Sequence, residues 1–342
     1  MPFSFDPRND RDRIGRFLIP PVEGYPYFEG ATAFAARTSD YSPVNAALLA
    51  EISLLAYAAP RFIEKLFNGP GATSPLPGFR YHPIRDDEDT GCFLLVNDSC
   101  VIVAFRGTRV PGLQDVQSFE ESLSLSLQDV VIDARFPPAD FKDGRVHGGM
   151  LEVYEMMAPD VASTLQAQTQ KDNRAVWFTG HSLGGALATL AAADYGDFQG
   201  LYTFGSPRVG DAAFLANLSG KPCYRHVHHD DFVARLPPPF SLPPLPLMEF
   251  THIGAGKLVY IDRDGGVDPD TNPDSLTDPL AGAINWRDLF LSFLAELGTI
   301  GDLFPHGPIR NLLDVPIPPG ALVDHAPIYY ATFLRKVLDG GA

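Results

Sequence analysis

The sequence predicts an α/β protein built on a mostly parallel sheet with helices on both faces. Two observations lead there. Short, wholly apolar runs of strand length recur along the chain, and segments with helical spacing or small helix-forming residues separate them. Strands that are apolar throughout, rather than alternating, are strands buried on both sides.

The elements follow in order. Residues 44–67 place Ala and Leu at helical spacing around Glu51 and Glu64, predicting one amphipathic helix. Cys92 to Val96 and Val101 to Phe105 are apolar runs separated by Asn97-Asp98-Ser99, a hairpin signal. Residues 148–170 read as a helix and Ala175 to Phe178 as a buried strand. Gly184 to Ala193 is small and helical, Leu201 to Phe204 and Tyr224 to Val227 are strands, and a closing helix is expected from about Ala326 to Leu338. Three segments break the rhythm: 109–128, 237–249 and 262–320, the last two rich in Pro. Long loops of this kind inside a compact domain are usually functional or disordered.

Composition narrows the function. The 342 residues are expected to form a single domain, and their net charge of −16 argues against a nucleic-acid partner. Hydrophobic residues make up 45%, enough for a sizeable core, and no apolar run approaches the roughly 18 residues of a membrane-spanning helix. Cys92, Cys100 and Cys223 leave two readings, a Cys92–Cys100 bridge or three buried thiols. Residues 1–20 carry Asp6, Arg8, Asp10, Arg11, Asp12, Arg13 and Arg16 without an apolar core. They do not read as a secretory signal, so cytoplasmic residence, or export with a signal already removed, is expected.

One motif carries the chemistry. A strand, then Gly180-His181-Ser182-Leu183-Gly184, then a helix is a G-x-S-x-G elbow in the setting that gives it meaning. The serine must sit at a sharp, strained turn, and glycines two before and two after it remove Cβ atoms that would collide. The Leu183 amide and the helix N-terminus then face a developing oxyanion. A serine nucleophile further needs a histidine and a carboxylate, later in the chain and in the order acid, then histidine. Asp230 and Asp231 end a strand-like run, where only one of two neighbours can reach the site. His252, His306 and His325 follow. Asp211 reads as a helix cap, and His147 and His181 as packed structural histidines. His226 and His228 share a strand face at ligand-like spacing, but no further ligands appear at clear spacing, so no metal and no organic cofactor are expected.

With these motifs the chain resembles the class 3 lipases, α/β-hydrolases typified by fungal triacylglycerol lipases. The resemblance runs through Phe105-Arg-Gly-Thr108, Val146-His-Gly-Gly149, Thr179 to Ala188, Leu201 to Gly210, Asp231 to Pro238 and Asp324-His325. It implies an α/β-hydrolase fold and a serine carboxylic-ester hydrolase acting on lipid esters, with access to a lipid–water interface. It selects Ser182, Asp231 and His325 as the triad, with Thr108 joining Leu183 in the oxyanion hole. It also implies a supporting role for His252 and a bracing role for Asp133. The family's lid with its Trp has no counterpart here; residues 109–128 carry Leu113, Val116, Phe119 and Leu123 at near-helical spacing and stand as a lid candidate. Leu113, Phe119, Leu242, Leu245, Leu247 and Phe250 are expected to contact acyl chains. Short-chain, feruloyl-type or phospholipid esters remain alternative substrates, and a non-catalytic or acyl-transferring member of the fold is the competing class. Residues 1–90 and 262–320 lie outside the resemblance.

Overall fold

A computed structural model describes residues 25–31, 33–69, 76–86, 91–108, 138–170, 173–237, 250–251, 256–271 and 323–336. The central sheet has eight strands in the order β1-β2-β3-β6-β7-β8-β9-β10. Its middle is formed by β3 (Cys100–Phe105), β6 (Ala175–His181), β7 (Gly200–Phe204), β8 (Cys223–His228) and β9 (Lys257–Ile261). These five run parallel to one another. β1 (Arg80–Asp86) and β2 (Gly91–Val96) add antiparallel strands at one edge, and β10 (Val267–Asp268) closes the other. A separate hairpin joins β4 (Ala139–Phe141) to β5 (Gly144–Val146). This mostly parallel sheet with helices on both faces is the α/β-hydrolase architecture expected.

Two helices were read as one in each of two places, and proline is the reason both times. Residues 44–67 divide into α1 (Pro43–Leu55) and α2 (Pro60–Asn68). Pro60 has no N–H and its ring clashes with the carbonyl four residues back, so the first helix stops and Pro60 restarts the chain at N1. Ser42 caps α1 by accepting from the Asn45 amide. Nor is α1 amphipathic: Asn45 to Leu55 are all buried, Glu51 included, whereas α2 buries only Ile63 and Phe67. Residues 148–170 likewise split into α3 (Gly148–Glu155) and α4 (Ala158–Thr169), with Pro159 in the first turn of the second.

The two faces of β6 show how the layers stack. Thr179 meets Ser53 of α1 at 3.0 Å, while the Phe178 ring lies 5.8 Å from Tyr195 at the end of α5 (Leu183–Tyr195). α5 is Gly/Ala-rich and buried from Leu183 to Ala193, which lets it press close to the sheet. Asp211 caps the short α6 (Ala212–Leu215) through the Phe214 amide, as expected. The closing helix is α7 (Pro327–Arg335), packed against α1. One contiguous core runs from Tyr25 to Leu334.

The sequence reading missed β1, β4, β5, β9 and β10. β1 is polar and contains Pro83, which an edge strand with a register shift tolerates. All three cysteines are buried free thiols. Cys92 pairs in register with Phe105, at the far end of the hairpin from Cys100, so the bridge does not form. Among the described residues no helix is long and apolar enough to cross a membrane. The lid candidate 109–128, residues 238–249 and 272–320, and Leu113, Phe119, Asp133, Leu242, Leu245, Leu247, His252 and His306 lie outside the described residues.

Candidate active site

The parallel strands end together, and the chemistry gathers at those ends. Ser182 follows the last residue of β6 and caps α5, with φ 58° and ψ −132°. A non-glycine residue in that region is strained and persists only when its surroundings hold it. They do: the Ser182 amide donates to the Phe204 carbonyl at 2.9 Å. A Cβ on Gly180 would strike the Gly184 carbonyl and come within 2.8 Å of the Gly185 amide nitrogen. One on Gly184 would lie 2.9 Å from the Gly107 nitrogen. Glycine spacing here is therefore a packing requirement that brings β6, α5 and the end of β3 into contact.

Asp231 is fully buried three residues beyond β8. Its Oδ1 accepts from the amides of Val233 (2.9 Å) and Ala234 (3.3 Å), and Oδ2 accepts from the Tyr330 hydroxyl at 2.5 Å. His325 Nδ1 stands 2.9 Å from both carboxylate oxygens. A carboxylate can only accept, so Nδ1 carries a proton and donates it to Asp231, and Nε2 is the ring nitrogen left for other partners. Burial pushes the Asp231 carboxyl up, but the charge and hydrogen bond of His325 and the Tyr330 hydroxyl outweigh it and hold the group below the usual range. Gly205, at φ 57°, leaves room for this pair; a Cβ there would lie 2.6 Å from Asp231 Oδ2 and 2.9 Å from His325 Nδ1.

Among the buried polar atoms of the described residues that have no hydrogen-bond partner are Ser182 Oγ, His325 Nε2 and Thr108 Oγ1. Ser182 and His325 therefore do not bond each other here. Pairs of this kind are often loose until substrate tightens them. Gly107, next to Thr108, brings the end of β3 against the elbow, where an added Cβ would be 3.1 Å from Ser182 Cβ. Leu183 is the first residue of α5, placing its amide at that helix's N-terminus.

The other titratable residues are accounted for. His226 stacks on Phe204 with ring centres 4.6 Å apart and bonds the Thr203 carbonyl; burial drives it down to about 3, so it stays neutral. His228 bonds the Asp324 carbonyl and packs on Tyr329, so the ligand-like pair is spent on structure. His147 caps α3 by accepting from the Met150 amide, and its ring lies 5.9 Å from Phe250. Asp230 is part-exposed, between His229 and Arg235. His229, Asp230 and Asp324 bring three ligand-type atoms within 4.8 Å of one another. His229 Nδ1 is engaged with Asp324 at 2.7 Å, which ties the segment bearing His325 to the end of β8. Sequence reasoning gave no roles to Tyr57, Asp324 or Tyr330. Tyr57 lies in the turn after α1 and Tyr330 on α7, both far along the chain from Ser182, and no local spacing marks them.

Comparison with known proteins agrees with the resemblance. The family described as Lipase (class 3) matches residues 102–241. A secreted mono- and diacylglycerol lipase 1 of Fusarium solani is 46% identical over 101 residues, 27% of this chain and 30% of that one. A lipase of Rhizomucor miehei is 39% identical over 129 residues, 34% of this chain and 36% of that one. The matches thus span about a third of the length of these relatives. A solved lipase structure from Rhizopus microsporus var. chinensis aligns over 71% of this chain and 83% of that one, at 25% identity and TM-score 0.48.

Proposed function

We propose that the chain is a member of the class 3 lipase family, whose model matches residues 102–241, and a serine carboxylic-ester hydrolase cleaving acyl esters of lipids through an acyl-enzyme. One observation carries the reading. A strained serine at a strand–helix junction shares its site with a buried His325–Asp231 pair whose outer nitrogen has no hydrogen-bond partner.

In this reading Ser182 Oγ attacks the ester carbonyl carbon while His325 Nε2 takes its proton. Asp231 holds Nδ1 and balances the imidazolium. The amides of Thr108 and Leu183, with the Thr108 hydroxyl, receive the charge on the carbonyl oxygen. The tetrahedral species collapses, His325 returns the proton to the departing alcohol, and water then releases the acid by the same route. No step calls for a metal or cofactor.

Substrate and setting belong to the same proposal. Apolar acyl chains would meet Leu113, Phe119, Leu242, Leu245 and Leu247 on the loops 109–128 and 237–249, and Phe250 beside His147, with 109–128 acting as a lid at a lipid–water interface. The chain acts as a single domain in which 262–320 is a further insertion. The Fusarium relative is named as secreted, which supports export over cytoplasmic residence.

A fluorophosphonate tests the reading: one equivalent should attach, and the mass shift should map to the peptide containing Ser182. No adduct on the folded chain, or an adduct elsewhere, overturns it. Hydrolysis of esters of graded acyl length tests the substrate class. Replacing Leu113 and Phe119 by Ser should raise KM increasingly with chain length, because each buried methylene contributes about 0.8 kcal/mol. An equal loss on all lengths would instead mean general destabilisation.

A further inference from the structure

Tyr57 lies in the turn between α1 and α2, more than a hundred residues before the elbow, yet its hydroxyl is 2.8 Å from Nδ1 of His181. On the other side of that ring, Nε2 is 2.6 Å from the backbone carbonyl of His325. A carbonyl only accepts, so Nε2 carries the His181 proton, Nδ1 must accept, and Tyr57 must donate. The Gly107 backbone packs directly against the Tyr57 hydroxyl: a Cβ on Gly107 would collide with that hydroxyl and approach the His181 carbonyl to 2.6 Å, so only glycine fits there.

The direction of both bonds in this chain is thereby fixed, Tyr57 O–H to His181 Nδ1 and His181 Nε2–H to the His325 carbonyl, with Gly107 packed against its first member. It joins the residue before Thr108, the residue before Ser182 and the backbone of His325 itself. Burial and the neighbouring His325, whose ring centre is 4.5 Å away, keep His181 neutral, and burial keeps the Tyr57 phenol protonated. The chain can therefore hold its donors and acceptors unchanged across the working pH range.

We propose that Tyr57 and His181 are positioning residues that set the oxyanion loop, the nucleophile and the general base in one frame through this hydrogen-bond chain. The proposal rests on the serine-hydrolase reading above. Neither side chain touches the reacting atoms; both act through the loops they join.

The test is Tyr57→Phe, which keeps the ring and removes the hydroxyl. We expect kcat to fall on the order of 10- to 100-fold with KM little changed, since a small misplacement of catalytic groups can cost about 10²-fold. His181→Gln keeps a donor toward the His325 carbonyl and should lose less than His181→Ala. In nitrogen-15 spectra of the wild-type protein, the His181 ring should show Nε2 protonated and Nδ1 bare from pH 5 to 8, and Tyr57→Phe should shift Nδ1 alone. Wild-type kcat in a folded Tyr57→Phe variant overturns the proposal. So does a His181 ring protonated at Nδ1, a readout that stands even if the variant does not fold. Fluorophosphonate labelling of Ser182 in the wild type separates the two levels: labelling with an indifferent Tyr57 sinks only the positioning role, whereas no labelling sinks the hydrolase reading beneath it.

Discussion

Two buried polar clusters are built on opposite principles. At the far end of α1, Glu51 is completely buried, and its carboxylate takes Arg335 Nη1 at 2.6 Å, the Tyr25 hydroxyl at 3.1 Å and the Phe28 amide at 2.5 Å. Arg335 also reaches the carbonyls of Pro26 and Glu29. Both Glu51 oxygens are satisfied, and the cluster straps residues 25–29 and α7 onto α1. At the strand ends, by contrast, Asp231 is satisfied while Ser182 Oγ, His325 Nε2 and Thr108 Oγ1 are not. Native proteins leave few buried polar atoms unpaired, because each costs about 1–3 kcal/mol. Three gathered around one strained serine mark a surface shaped for something other than the chain itself. Unmet hydrogen bonds occur elsewhere, at Tyr27 beside the strap among others; what sets the strand ends apart is that three of them belong to residues around one strained serine.

That contrast predicts a double dissociation. Ser182→Ala should lower turnover by roughly 10⁴-fold or more. It should leave Tm unchanged or slightly raised, because the strained, unpartnered hydroxyl contributes nothing to the folded state. Asp231→Asn should come next, with a loss of about 10³- to 10⁴-fold in kcat, since the amide no longer favours the Nδ1–H tautomer or balances the imidazolium. Parallel kinetics and thermal melts on purified variants decide it. Retention of more than a few per cent of activity by folded Ser182→Ala would remove the serine from the centre of the scheme.

Glu51→Ala should behave the other way. Removing one member of a buried ion pair leaves the other uncompensated and costs about 3–5 kcal/mol. Tm should therefore drop by several degrees, while kcat per folded molecule stays near wild type. A large loss of kcat with an intact melt would mean that the strap reaches the chemistry through α7, and the two clusters would no longer be separable.

The two regions also differ in how far the sequence revealed them. The elbow was legible because its chemistry imposes local spacing, with Gly180 and Gly184 flanking Ser182, whereas Thr108, Asp231 and His325 were singled out only through the resemblance. The parallel core was legible because its strands are apolar on both faces. The strap was not legible. Glu51 sits in an Ala/Leu helix whose periodicity pointed it at solvent, and only the docking of α7 and residues 25–29 around α1 explains its burial. Tyr57 escaped for a similar reason: its partner, His181, is more than a hundred residues away, and no short-range pattern encodes that distance. β1 was hidden because an edge strand needs no apolar pattern on its open side. Pro60 and Pro159 carried a signal that helical periodicity overrode, although each marks the start of a new helix.

The smallest effect is also the sharpest test of the strap. Burial raises the Glu51 carboxyl from an ordinary 4.5 to about 7, against the pull of Arg335 and the hydrogen bonds from Phe28 and Tyr25. Between those two values the folded protein keeps a proton that the unfolded chain has released. Stability from this group therefore falls as pH rises from about 4.5 to about 7 and levels off above. Asp231 works with the opposite sign: its depressed carboxyl contributes stability that is lost only as pH falls through its folded value, below the Glu51 window. Glu51→Gln cannot titrate, so the difference in Tm between wild type and this variant isolates the effect. That difference should shrink or turn negative between pH 5 and pH 8, by a few degrees, with no matching change in kcat. A difference that instead grows with pH would show that Arg335, rather than burial, sets the charge of Glu51. The strap would then be a permanent ion pair, differing from the His325–Asp231 pair in its satisfied hydrogen bonds and not in its response to pH.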